Sequence, residues 1–225
     1  MPVKASVWDA RNATSRDWRK ARPLALSSVM SLPMQDRDKF LADVRHHTER
    51  MPPDQRDRLK VYAGDAAHMD LGLARGELRE LAESVDRIHH VAEVTYLGAD
   101  RRAAEEVNLG ATREILEVAS LCKRLKLLVH HSTALVSGDR RGTVLESELD
   151  VGQGFRNVVE ETKARAEGMV RSAMPQLPIA VVRPGILVGS SADGSVDRMD
   201  GPYLMFLLIL TSPKEVALPL PGRSE

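Results

Sequence analysis

From residue 59 onward, short apolar runs alternate with longer stretches in which apolar positions recur every three or four residues. Leu59–Ala63 (LKVYA), Val85–His90 (VDRIHH), Leu127–His131 (LLVHH) and Ile179–Arg183 (IAVVR) read as strands. The last two show little polar alternation, as expected when both faces of a strand are covered. Leu73–Leu81 reads as a helix. Ala104, Val107, Ala111, Ile115, Val118 and Cys122 form one helical stripe, and Phe155, Val159, Thr162, Ala166, Met169 and Ala173 form another. Strand–helix–strand order with apolar strands predicts an α/β protein with a doubly wound parallel sheet. In such sheets the ligand crevice lies at the C-terminal ends of the strands.

The first part of the chain follows a different pattern. Residues 1–35 show no strong period of 2 or 3.6, and only Pro23–Leu32 (PLALSSVMSL) reads as a weak strand. From Asp36 the pattern turns helical at Phe40, Leu41 and Val44, until the prolines of Met51–Gln55 stop it. Residues 1–35 are therefore a loosely specified segment, and 36–225 form one domain. All 15 glycines lie at or beyond Gly64.

Composition narrows the function classes. The 32 basic and 32 acidic residues balance, which removes the general electrostatic case for nucleic acid. The longest apolar run, Tyr203–Leu210 (YLMFLLIL), is far short of a bilayer span, and the charged N-terminus lacks the apolar centre of a signal peptide. Cys122 is the only cysteine, so there is no internal disulfide and no cysteine-based zinc site. A cytoplasmic protein is expected.

The strand ends deliver Asp65, then His90 to Glu93, then Ser132 and Thr133, then Pro184, Gly185 and Ile186 to one crevice. The second long helix adds Lys163. Each also has a plain reading: Asp65 as a turn residue, Ser132 and Thr133 as loop satisfiers, Lys163 as a solvated i,i+4 partner of Glu167. Histidines come in three adjacent pairs: His46-His47, His89-His90 and His130-His131. Adjacent strand residues point to opposite faces, so each strand pair offers one ring to a given site. One ring from each of the last two pairs is placed to meet its neighbour. With no cysteine to complete a ligand set, packed histidines are expected rather than a metal.

From about Lys60 to the end, the chain resembles an extended short-chain dehydrogenase/reductase. It is most similar to the fatty acyl-CoA and thioester reductase branch, the "male sterility" NAD-binding domain. The blocks that carry the resemblance are GDAAHMDLGL (64–73), VDRIHHVAEV (85–94), VNLGATREILEVA (107–119), LVHHSTALVSGD (128–139), GFRNVVEETKARAE (154–167) and VVRPGILVG (181–189). The resemblance implies a Rossmann-like fold, an NAD or NADP cofactor and hydride transfer to a carbonyl or acyl-thioester substrate. A homodimer is a common arrangement in that superfamily. It places Asp65 at the adenine, and His90 and Ala92 beside the ribose and pyrophosphate. Asn108 takes the place of the asparagine of the N-x-x-G-T motif, with Thr112 following an inserted-looking Ala111. Thr133 matches the hydroxyl residue at the substrate carbonyl, and Lys163 the lysine at the nicotinamide ribose. Pro184, Gly185 and Ile186 match the loop over the nicotinamide.

The sequence departs from that pattern in ways that bear on activity. Four residues before Lys163 the family has a tyrosine that protonates the carbonyl oxygen, and here stands Val159. Tyr96 is the nearest phenol in sequence to the expected crevice. The absence of glycine from residues 1–63 leaves no Gly-x-x-Gly-x-x-Gly turn there for a pyrophosphate. Glu93 puts a carboxylate beside the expected pyrophosphate, where it repels unless paired. The chain thus reads as the middle of a reductase, cut at both ends, whose domain over 36–225 ends with only the start of a small substrate lobe. Two alternatives to an active reductase stay open: a non-catalytic Rossmann-like scaffold, or a fragment of a longer enzyme.

Overall fold

The computed structural model describes residues 62, 64–94, 98–186, 188–191, 194 and 202–212. Before them it describes the short pieces 3–7, 24–25, 27–31, 49, 52–53 and 59–60. The chain divides into two units, Met1–Pro184 and Gly185–Glu225. In the first unit the strands are β1 (Val3–Val7), β2 (Leu24–Ala25), β3 (Ser27–Ser31), β4 (Leu59–Lys60), β5 (Arg87–His90), β6 (Leu127–His131) and β7 (Ile179–Val182). Its helices are α1 (Arg75–Ser84), α2 (Arg101–Glu105), α3 (Ala111–Leu121) and α4 (Val158–Ala173).

β5, β6 and β7 form a parallel sheet in that order, with His90 opposite His130 and His131 opposite Val182. Parallel neighbours require crossover connections, which α2 and α3 provide between β5 and β6, and α4 between β6 and β7. This is the Rossmann-like α/β arrangement expected from the alternating pattern. β6 lies in the middle, with Leu128, Val129 and His130 buried. β7 does not fit the expectation of a strand covered on both faces: its residues are half-buried and Val182 is 40% exposed. The physical reason is its place at the outer side of the β5-β6-β7 order.

Helix starts follow local chemistry. The Asp100 carboxylate accepts the backbone N–H groups of Arg102 and Ala103 at the start of α2. The Asn157 side chain accepts the N–H of Glu160 at the start of α4. The predicted stripe is buried at Ala104, Val107, Ala111, Ile115, Val118 and Cys122. It is not one uninterrupted α-helix, however. A π turn, Glu106–Gly110, stands between α2 and α3, directly before the Ala111 that looks inserted in the sequence. Ile88 and Leu128 from the sheet pack with Leu78 and Leu81 of α1 and Ile115 and Val118 of α3. A second cluster joins Val94, Val107 and Val159.

The weak strand expected at Pro23–Leu32 contains β2 and β3. β3 pairs antiparallel with β1, and β2 pairs parallel with β4, so neither strand joins the β5-β6-β7 sheet. The helix expected around Phe40, Leu41 and Val44 lies outside the described residues, as does Tyr96. In the second unit the apolar run is a helix, α5 (Pro202–Thr211), and Leu204 to Leu210 are all exposed. Among the described residues no helix is long and apolar enough to cross a membrane.

Candidate functional site

The C-terminal ends of β5 and β6 meet α4 at Lys163. Its ammonium donates to the backbone carbonyl of His131, the last residue of β6, at 2.6 Å. It also lies 2.6 Å from Glu93 Oε2, three residues beyond β5. The Lys163 side chain is only 4% exposed and that of Glu93 32%, so the carboxylate is the more accessible member of the pair. Glu93 is therefore paired, which meets the condition under which a carboxylate near a pyrophosphate is not simply repulsive. The i,i+4 pairing of Lys163 with Glu167 is not what forms. Lys163 turns to the strand ends, and Glu167 is taken up by arginines.

Asn108, buried at 1% exposure in the π turn, holds this corner together. Its Oδ1 accepts the N–H of Val94 at 2.8 Å, and its Nδ2 donates to Thr162 Oγ1 at 2.9 Å. Val94 follows Glu93 and Thr162 precedes Lys163, so one amide fixes the neighbours of both ion-pair partners. The Thr112 hydroxyl donates to the Asn108 carbonyl at 2.7 Å, which anchors the π turn. Asn108 thus acts here through protein groups, between the β5 end and α4.

Thr133 caps the short 3-10 turn Ala134–Ser137, where its Oγ1 accepts the Leu135 N–H at 3.2 Å. That bond uses an acceptor lone pair and leaves the hydroxyl proton to donate. The Ala134 N–H donates to the Pro184 carbonyl at 2.9 Å, which ties the turn to the residue after β7 and Arg183. Gly185 and Ile186 open the second unit and are exposed.

Asp65 stands in a tight turn. Its Oδ1 accepts the Ala67 N–H at 3.0 Å, its Oδ2 lies 2.7 Å from His68 Nδ1, and its own N–H donates to Leu71 O. Asp70, Leu71 and Gly72 there are all left-handed, with φ of 57°, 58° and 64°. His90 is buried, with Nε2 at 3.1 Å from Thr112 Oγ1, and Ala92 is buried nearby in the chain at 4% exposure.

The two strand histidine pairs do meet. His89 Nδ1 and His131 Nε2 are 3.2 Å apart on one face of the sheet, and the His90 and His130 rings lie 5.3 Å apart on the other. Burial is the main cause that lowers all four from the usual histidine range, and for His130 it acts together with Lys163 and His131 to push the value down to about 3. Among the described residues no group of three or more His, Cys, Asp or Glu is arranged to hold a metal ion.

Two features escape a reading of the sequence. The first is that Glu93 is the partner of Lys163. The second is a buried network centred on Glu167, which is fully buried and accepts from Arg183, Arg171 and Ser132 Oγ. Desolvation opposes ionisation of Glu167, but hydrogen bonds from Arg183 and Ser132 hold it below the ordinary glutamate value. Arg171 also donates to the carbonyls of Glu146 and Ser147, and Arg183 to that of Glu148, which pins this loop to the sheet end. The available signal was position: Glu167 falls eight residues after Val159 and one after Ala166, on the buried stripe of α4. A carboxylate there calls for a cation.

Where the resemblance has a phenol, Val159 packs with Val94 and Val107 in an apolar cluster. No proton donor stands at that position.

The male sterility protein family matches residues 33–215. The fatty acyl-CoA reductase wat of Drosophila melanogaster is 27% identical over 193 residues, covering 73% of this chain and 37% of that protein. Glycine betaine reductase ATRR of Emericella nidulans is 30% identical over 162 residues, covering 70% of this chain and 12% of that protein. The terminal R domain from the myxalamid PKS-NRPS biosynthetic pathway has a similar structure, with a TM-score of 0.61 and 25% identity. It covers 72% of this chain and 42% of that one. The chain thus spans well under half the length of these relatives.

Proposed function

The chain belongs to the male sterility protein family, within the extended short-chain dehydrogenases/reductases, and from that premise we propose that it is part of an NAD(P)-dependent oxidoreductase. Its substrate is a carbonyl or acyl-thioester group. The observation that carries the proposal is the placement of Lys163, buried in α4 with its ammonium at the C-terminal ends of β5 and β6. In an open parallel sheet this is where a nucleotide lies.

The residues at this corner fit the nicotinamide end of the cofactor. An ammonium has three donors; among the described residues Glu93 and His131 take two, and the third N–H would serve a ribose hydroxyl. Lys163 would hold the ribose, with Asp65 toward the adenine and His90, Ala92 and Pro184 along the cofactor. When bound, the reduced cofactor supplies the hydride. Thr133, with its hydroxyl proton available, would donate to the substrate carbonyl oxygen and orient it. Asn108 keeps Glu93 and Lys163 in place through Val94 and Thr162. The pyrophosphate is not held by a glycine turn within residues 1–63, since that stretch has no glycine. The name of one matched relative, a fatty acyl-CoA reductase, supports an acyl thioester as substrate.

A second reading rests on Val159. With an apolar cluster in place of the proton donor, the domain binds a nucleotide or a partner without turnover. Calorimetric titration of the folded chain with NADPH and then NADH, followed by an assay with an aldehyde and an acyl thioester, separates the two. Binding with turnover supports the reductase. Binding without turnover supports the scaffold. A folded chain that binds neither cofactor refutes the NAD(P) assignment.

A further inference from the structure

We propose that Glu93 joins Lys163 at the nicotinamide-side ribose as the acceptor half of a vicinal-diol site, its carboxylate accepting a hydrogen bond from a ribose hydroxyl. This rests on the NAD(P) reading, and it adds a cofactor-binding role for a residue that the family resemblance leaves without one.

The chemistry of the pair suits a diol. A sugar hydroxyl both donates and accepts, so its complement is a fixed acceptor beside a fixed donor. Lys163 offers donors only, and the carboxylate of Glu93 offers acceptors only. They are held 2.6 Å apart, so neighbouring hydroxyls on one ring meet both signs at once. One carboxylate has room for about four hydrogen bonds, and its Oε2 is shared with Lys163. The greater accessibility of the Glu93 side chain, 32% against 4%, makes it the member that reaches into the crevice.

The pair is also preorganised. Asn108 fixes the backbone next to Glu93 through Val94 and the helix position next to Lys163 through Thr162. His131 O fixes the ammonium from the strand side. Groups held this way lose little freedom when the ligand arrives. Pairing also neutralises the carboxylate, so the phosphates of a dinucleotide face no isolated negative charge here.

The test compares NADH with an NADH analogue whose nicotinamide-side ribose lacks both the 2′ and 3′ hydroxyls, by calorimetric titration of the full chain. Wild type is expected to prefer NADH. Glu93→Gln keeps an oxygen acceptor for Lys163, and should weaken NADH about tenfold while leaving the analogue unchanged. Glu93→Asp keeps the charge and withdraws the carboxylate by one methylene. It should lower the same preference, and it stands in if the Gln variant does not fold. Equal or tighter NADH binding by Glu93→Gln overturns the inference alone, because the carboxylate then repels the cofactor or ignores it. Loss of binding for NADH and the analogue alike also overturns it, since that reports disrupted structure rather than diol recognition. Absence of NADH binding by folded wild type overturns both this inference and the NAD(P) reading.

Discussion

Arg183, the residue after β7, grips Glu167 of α4 with two nitrogens: Nη2 lies 2.7 Å from Oε1 and Nε lies 3.0 Å from Oε2. Glu167 is fully buried, and its remaining hydrogen bonds come from Arg171 and from Ser132, the neighbour of Thr133. The bond therefore joins the end of β7, the middle of α4 and the segment just past β6. A bidentate guanidinium–carboxylate pair has fixed geometry as well as charge, so it sets the orientation of these three parts.

Breaking that pair should be costly. Arg183→Met leaves a buried carboxylate short of its main partner, and the expected loss is about 3–5 kcal/mol in urea denaturation. Replacing both partners, as Glu167→Leu with Arg183→Met, should cost less than the sum of the single changes. A loss under about 1 kcal/mol for Arg183→Met would show that the network is not under this constraint.

A separate test concerns the turn after Thr133. Gly138 has φ of +61°, and a Cβ there would sit 2.1 Å from the Gly154 carbonyl oxygen. Gly138→Ala should thus lose at least about 2 kcal/mol, from backbone strain and the forced separation of the two segments. Gly142 is the control. Its φ is +82°, but among the described residues no atom beyond its chain neighbours lies within 4 Å of where a Cβ would stand, so Gly142→Ala should lose only about 1 kcal/mol. Equal effects in thermal denaturation would contradict the close approach.

The order and kind of the main elements were legible because burial imposes its own period on the chain. Leu127–His131 is a strand with the bounds read from its apolar run. The stripe from Ala104 to Cys122 is buried as its spacing requires, though spacing alone cannot distinguish an α turn from the π turn at Glu106–Gly110. What spacing hides is pairing across long separations. Glu93 and Lys163 lie 70 positions apart, and an acidic residue in the sequence carries no mark of its partner. The partner of Glu167 is hidden for a related reason: a charge four residues from Lys163 suggests a solvated helix pair, but the residue after β7 supplies Arg183 instead. The half-exposure of β7 depends on which strand is outermost, a property of topology rather than of IAVVR itself.

Val159→Tyr tests the missing phenol directly. Val159 is 8% exposed and packs on Val94 and Val107, so a larger ring should cost about 1–3 kcal/mol by overpacking. The proton donor matters only when a hydride donor is bound. The variant is therefore expected to gain reductase turnover only in preparations whose titration shows NADPH or NADH binding. Turnover in the absence of measurable cofactor binding would sink the assignment of this helix to the reductase mechanism.

Acid should destabilise the fold in a window set by the buried histidines. His130 is 1% exposed, faces His90 and the charge of Lys163, and in the folded chain its value is pushed down to about 3 from an ordinary 6.5. His90 is lowered as well, chiefly by burial. As pH falls below the unfolded value, the unfolded chain takes up these protons first, so stability present above 6.5 is lost progressively down to about 3. Each such histidine adds a slope of up to about 1.4 kcal/mol per pH unit. Neither ring nitrogen of His130 has a hydrogen-bond partner among the described residues, so His130→Leu sacrifices no polar contact. That variant should unfold at similar urea concentration near neutrality and hold its midpoint better than wild type near pH 5, about midway through the window. Parallel midpoint-versus-pH curves for the two proteins would mean that His130 does not carry the acid sensitivity.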